Sequence, residues 1–419
     1  MLRNISWYGL DKISKVVSIL LTSVVASKTL GVEGYGEYSF YIAINTILLP
    51  IALLGLDDYC YQKLVSRKKG RTDIIIGNVL SIRLIANLFI LACTFLFIYT
   101  CDSYNSGMVL ILVTSNFFSM LSIYQILNNA ISKNRINAFC SSLCTFLFVL
   151  VKVYIFYNEE YINIFSMVIV YSVEVSFSLI LTVLFVGIKP KFRFDQKVVK
   201  ILVIKSLPMT ISSLAIVVYY KMDQVMLGLM RDYTQVSMYS IQSQVLMAVN
   251  LLIQVLINGS YPKWINNNKL NYGYIEALSR VLVGLSILMW ISIYIFMGFI
   301  VDILWGNEYY DVRNLLLITV VGTLFSGLGA IGSKILTFEN LQVYRMKRVV
   351  IAMIINLLLN IMLIPSYGYY GAAVATVASQ FYSGVVGNIW SEKTRWIAVK
   401  QINYFKICNF RDLKVLFRV

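Results

Sequence analysis

Arg83, Lys152 and Lys15 are basic residues set inside long apolar runs, and the chemistry open to such groups is the binding of an anion. Arg83 lies about eight residues into the stretch 75–99, Lys152 about fourteen into 138–157, and Lys15 some five into 10–30. A charge at the centre of a bilayer costs about 2.5–3.5 kcal/mol on insertion scales, so such residues face a partner or a watered hollow. Guanidinium is always charged and forks onto two oxygens, which makes Arg83 the candidate for a phosphate. Asn87 follows one turn later on the same helical face and would widen the polar patch. Glu174, near the middle of 161–187 with Tyr171 and Ser178 within a turn, is the candidate to carry a coupling ion, H+ or Na+. The same residue is equally a candidate for a static ion pair with Lys152 or Arg83. Asp11 stands four residues before Lys15, so the two can pair within one helix, and Asp11 is a second coupling candidate.

Ten basic residues (Lys12, Lys15, Lys28, Arg83, Lys152, Lys205, Lys221, Arg280, Arg313 and Lys334) fall within or at the edges of apolar stretches, against two acids, Asp11 and Glu174. An excess of cations suits an anionic substrate, whereas an exporter of organic cations calls for the opposite sign. Lys28 and Lys221 lie near stretch ends, where a long stem also lets the ammonium snorkel to the interface. In 235–260 the polar residues Gln242, Asn250, Gln254 and Asn258 recur at multiples of four, and Asn356 and Asn360 repeat the spacing in 349–365. Such amides either line a lumen that takes sugar hydroxyls or hold helices together in lipid. The chain has no His, and its six Cys form no CxxC, so neither a metal site nor a resident cofactor is expected.

Twelve apolar stretches must position these groups: 10–30, 38–56, 75–99, 107–127, 138–157, 161–187, 201–222, 235–260, 278–300, 312–335, 349–365 and 371–390. Each can supply the roughly 20 helical residues that a bilayer core requires. Hydrophobic residues make up 59% of the 419 and charged ones 13%, far from the soluble norm. Every second connector is basic. The set 1–9, 57–73, 128–137, 188–200, 261–277, 336–348 and 391–419 holds 25 Lys and Arg, and the alternate set holds only Arg231. Basic connectors stay in the cytoplasm, so the chain is read as a multi-pass protein of a bacterial inner membrane with both termini cytoplasmic. The net charge of +16 is this bias plus a basic tail, and no nucleic-acid module accompanies it.

A repeat is legible as well. Leu30-Gly31 followed by Tyr38-Ser39 is matched by Leu227-Gly228 followed by Tyr239-Ser240, six stretches later. An even number between copies implies two parallel halves with a site between them, although these dipeptides are also common at helix ends.

The run Ser206-Leu207-Pro208 through Tyr219-Tyr220-Lys221-Met222-Asp223-Gln224-Val225-Met226-Leu227-Gly228 resembles the signature of polysaccharide exporters and O-antigen flippases. These belong to the multidrug/oligosaccharidyl-lipid/polysaccharide exporter superfamily. Lys28-Thr29-Leu30-Gly31 through Tyr38-Ser39, Leu304-Trp305-Gly306-Asn307-Glu308-Tyr309, and Asn356 through Gly368 followed by Gly371-Ala372-Ala373 resemble it in the same order. The resemblance implies an all-α membrane protein of about twelve helices in two parallel six-helix bundles, here 1–190 and 191–390, forming a V around a central cavity. It implies translocation of an undecaprenyl-diphosphate-linked oligosaccharide from inner to outer leaflet, by a monomer and not an enzyme. A drug exporter of the same superfamily is the alternative. An O-antigen polymerase or ligase is disfavoured by short outer connectors. The tail 391–419 alternates Trp396, Val399, Ile402 and Phe405 with Lys400 and Lys406. It reads either as an amphipathic helix on anionic membrane lipids or as a contact for the glycosyltransferases and polymerase of the same glycan.

Overall fold

The computed structural model describes residues 2–65, 72–100, 105–131, 133–157, 163–186, 192–266 and 269–404. They form thirteen α-helices: α1 (Leu2–Leu53), α2 (Leu56–Val65), α3 (Thr72–Thr100), α4 (Ser106–Ser119), α5 (Ser122–Ala130), α6 (Asn134–Tyr157), α7 (Ile164–Val186), α8 (Gln196–Met230), α9 (Tyr233–Ser260), α10 (Tyr272–Leu304), α11 (Asp311–Phe338), α12 (Gln342–Gly384) and α13 (Glu392–Tyr404). A two-residue antiparallel ladder, β1 (Ile265–Asn266) with β2 (Lys269–Leu270), precedes α10.

Among the described residues eight of these helices are long and apolar enough to cross a membrane, α4 and α5 taken together make a ninth span, and the bent α8 would make a tenth. The twelve expected stretches give fewer helices because two pairs run together. The first two stretches lie on α1, interrupted only at Gly31 (φ 70°), and the last two on α12, interrupted at Gly368 (φ 53°). Both dihedrals lie in the left-handed region that glycine enters without steric cost. Conversely, the expected stretch 107–127 divides into α4 and α5 at Met120–Leu121.

The chain forms two compact units, Met1–Lys221 and Met222–Val419, and the division falls inside α8. Unit 1 has a core of α2, α3 and α5 residues such as Leu56, Cys60, Val79, Ile123 and Tyr124, and a smaller one at Ala52, Ile90 and Val113. Unit 2 is built on Ile253, Trp264, Ile275, Leu328 and Ile331, with Ile397 of α13 packed among them. Phe89, Leu96, Leu184 and Phe299 are at least two-thirds exposed. A surface of that kind suits hydrocarbon, where apolar burial between helices gains little and packing with hydrogen bonds must hold the bundle.

Candidate functional site

In unit 1 the charges expected inside the membrane meet partners. Lys152 on α6 is 2% exposed, and its Nζ donates to Glu174 Oε2 of α7 at 2.7 Å and to Ser18 Oγ of α1 at 3.2 Å. Ser18 in turn donates to Glu174 Oε1 at 2.5 Å, which closes a three-membered ring of base, acid and hydroxyl across three helices. Glu174 keeps 14% exposure, so the ring is open on one side. Arg83 on α3 is fully buried and forms an ion pair with Asp57 of α2. Its Nη1 also donates to Met120 O at 3.2 Å and Ser122 Oγ at 3.1 Å. Asn87 turns back and donates to the Arg83 carbonyl at 2.8 Å. Arg83 is therefore occupied by protein on its Nη atoms, and Lys152 is held by the acid that the sequence made its alternative partner. Lys15 and Lys221 are half-buried and Lys28 is exposed, while the Asp11 side chain lies outside the described residues.

Unit 2 handles charge differently. Asp223 on α8 is 2% exposed and accepts from Thr376 Oγ1 and Asn360 Nδ2, both at 2.5 Å, and from the Tyr239 hydroxyl. Asn360 Nδ2 also reaches Asn356 Oδ1 at 3.2 Å. No basic side chain is bridged to Asp223 among the described residues. The expected polar residues Asn356 and Asn360 thus come together, around an acid the sequence reading passed over. Asp223 falls just past the apolar stretch 201–222, whereas α8 continues to Met230 and carries it into the bundle. The signal was its place in the run Tyr219–Gly228.

The amide stripe of α9 does not share one environment. Gln242 is buried and donates to Thr319 Oγ1 at 2.8 Å, Asn250 is half-buried and accepts from Ser326 Oγ at 3.2 Å, and Gln254 and Asn258 are exposed. A spacing of four residues overshoots a helical turn by about 40° each time, so sixteen residues turn the stripe well round the helix.

Outside the apolar helices, Asp232 and Lys400 are among the described groups with displaced titrations. Asp232 between α8 and α9 is pushed up by burial, but donors from Thr234 and Gln235 outweigh this and hold it below the usual carboxylate range. Burial lowers Lys400 of α13, and Glu276 partly offsets that. The buried face of α13 carries Thr394, Ile397, Ala398 and Gln401, and the rest of the expected tail, 405–419, lies outside the described residues. Among the described residues no group of three or more Cys, Asp or Glu could hold a metal ion.

The chain as a whole is similar to several known proteins. A probable low-salt glycan biosynthesis flippase of Haloferax volcanii is 27% identical over 176 residues, which are 40% of this chain and only 37% of the flippase's own length. A membrane protein of Methanocaldococcus jannaschii is 22% identical over 458 residues, covering 99% of this chain and 90% of its own. In fold, the chain is similar to the lipid II flippase MurJ in an inward closed conformation, with a TM-score of 0.69 at 15% identity over 94% of this chain and 90% of that one. An inward-facing multidrug resistance MATE transporter of the MOP superfamily gives 0.68 at 13% identity, over 92% and 96%. The model of the polysaccharide biosynthesis protein family matches residues 1–264, more than half of the sequence, and the chain belongs to that family of multi-pass membrane proteins.

Proposed function

We propose that the protein carries a lipid-linked oligosaccharide, with undecaprenyl diphosphate as the carrier, from the inner to the outer leaflet of a bacterial inner membrane. The repeat unit of an O-antigen or similar surface polysaccharide is the cargo. The observation that carries this reading is Lys152, a buried ammonium 2.7 Å from a carboxylate that is itself partly open. Removing one partner of a buried ion pair leaves an uncompensated charge at a cost of about 3–5 kcal/mol, so Lys152 exchanges partners far more readily than it loses one. A diphosphate head group can take the place of Glu174 on Lys152 provided that Glu174 takes up a proton. When the head group leaves, the pair closes again and the proton is released. Anion movement and proton movement are thereby linked through one residue pair, and Na+ would serve in the same place. Asp223, ringed by hydroxyls and amides, offers a second place for the coupling ion. Alternating access in two bundles, with Lys15, Lys28 and Lys221 guiding the approaching anion and both termini cytoplasmic, completes the proposal.

One observation favours a second reading. An acid buried without a bridged base, as Asp223 is, suits a small organic cation, and the MATE and MurJ folds are matched almost equally. Proteoliposomes separate the two. Fluorescent diphosphate-linked oligosaccharide should become accessible on the opposite leaflet in a protein-dependent way, and a lipophilic organic cation should not be concentrated. The reverse pattern would replace the first reading by the second. In cells lacking the protein, cytoplasm-facing lipid-linked repeat units should accumulate and surface glycan should be lost.

A further inference from the structure

Two helix breaks in unit 1 meet at one buried arginine, and a third packs against the first. The first separates α1 from α2, where Leu54 (φ 50°) and Gly55 (φ 51°) both adopt left-handed dihedrals. The second separates α4 from α5 at Met120–Leu121, where the amide of Met120 falls back on Phe117 O and that of Leu121 on Phe118 O. The third is in α8, which bends by 45° between Leu207 and Met209. Arg83 ties the first two together: it is paired with Asp57 in the first turn of α2, and it donates to the Met120 carbonyl within the second break and to the Ser122 hydroxyl that opens α5. The third break rests on the first, since a Cβ on Gly55 would lie 2.5 Å from the Thr210 backbone nitrogen. A non-glycine residue at left-handed dihedrals, such as Leu54, is a costly conformation that survives only where its surroundings impose it.

The packing divides at the same level. Ala52, Ile90 and Val113 form one cluster, while Leu56, Cys60, Ile82, Ile123 and Leu202 belong to another. Helix α3 alone supplies both sides of Arg83, with Ile82 in one cluster and Ile90 in the other. Asp57 is the exposed part of the arrangement, at 43% against none for Arg83.

We propose that α2, α5 and the adjoining halves of α3 and α8 move as one body about these three breaks, and that Arg83 is the positioning residue that pins the body to its neighbours through Asp57. The pin belongs to the conformational cycle of the transporter and not to the cargo site, so it stands or falls separately from the substrate assigned above. Breaks in membrane helices are tolerated where side chains satisfy the freed backbone groups, and Arg83 does this for Met120.

Double electron–electron resonance on the full chain in lipid nanodiscs tests the proposal, with the six native cysteines replaced. One spin-label pair, at Tyr61 and Leu88, spans the level of the breaks, and another, at Tyr61 and Ile131, stays within the moving body; all three positions are exposed. The spanning pair should give a broad or two-peaked distance distribution that widens in Asp57→Asn, while the internal pair keeps one narrow peak in both proteins. Arg83→Gln is the stronger variant and can fail to fold, so Asp57→Asn decides. In proteoliposomes Asp57→Asn should lower turnover roughly tenfold with half-saturation unchanged, and Asp57→Glu should restore it. Single narrow peaks of equal width for both label pairs, unaltered by Asp57→Asn, would overturn the proposal. Restoration by Asp57→Ala as complete as by Asp57→Glu would overturn it as well.

Discussion

In unit 1 Lys152 meets Glu174 and Arg83 meets Asp57, whereas in unit 2 Asp223 and Arg348 are each buried among neutral partners. Arg348, 4% exposed at the start of α12, donates to Asn388 Oδ1 at 3.0 Å, Gly329 O at 3.0 Å and Ser333 Oγ at 2.7 Å. The difference teaches how each unit responds when a charge is lost. An ion pair stripped of one member strands the other in a low dielectric, while a lone charge among dipoles can be replaced by a neutral isostere that keeps most of its hydrogen bonds.

The largest effect should come from splitting the pair in unit 1. Lys152→Met should destabilise the protein by about 3–5 kcal/mol, and Lys152→Met with Glu174→Leu should recover most of that, since apolar replacement of a buried pair is often neutral. Thermal unfolding in detergent across the four proteins of this cycle gives the coupling; additive losses would remove the pair as a closed unit. In unit 2, Asp223→Asn should cost only about 1–3 kcal/mol, the scale of one imperfectly matched polar group. Ion-gradient dependence of transport should nevertheless weaken while Glu174 still supports part of it, and a variant that unfolds as badly as Lys152→Met would erase the contrast between the units.

A further step down concerns the carboxy-terminal helix. Gln401 of α13 donates to Leu328 O at 3.3 Å and Gly384 O at 3.0 Å and accepts from Asn388, which also bonds Arg348. Gln401→Ala should leave those carbonyls unmet and expose α13 to limited proteolysis while the rest of unit 2 resists. The smallest effect belongs to Asp232, which caps α9 through the Gln235 amide at 2.9 Å. Its carboxyl is held below the ordinary range, so its contribution is present at neutral pH and fades as the pH falls through its folded value. Removal of such a cap costs about 0.5–2 kcal/mol, and Asp232→Ala should flatten the acid side of the melting profile by less than that because the group is largely exposed.

Apolar length was enough to find most of the membrane-crossing helices and the polytopic character, because a bilayer demands it. Residues at the edges of connectors were the hard ones. Asp223 and Arg348 fall in connectors by sequence yet lie on helices that outlast their apolar runs, while Asp57 opens the separate short helix α2. Hydrophobicity marks where a helix meets lipid and is silent on where it ends, so polar groups buried just beyond the apolar window escape it. Pairing was half legible. Glu174 with Lys152 is one of the two pairings the sequence offers, whereas Asp57 falls in the basic connector 57–73, where its pairing with Arg83 is not legible. The running together of stretches at Gly31 and Gly368 depends on backbone dihedrals that composition does not report.

The most direct test of the account is proton exchange on head-group binding. When a short-chain polyprenyl diphosphate is added to the purified protein in weakly buffered detergent, protons should be taken up as Glu174 gives up Lys152, and Glu174→Gln should bind the same ligand without that share of the uptake. Equal proton uptake by the two proteins, or binding that survives intact in Lys152→Met, would contradict the exchange of partners on which the proposed mechanism depends.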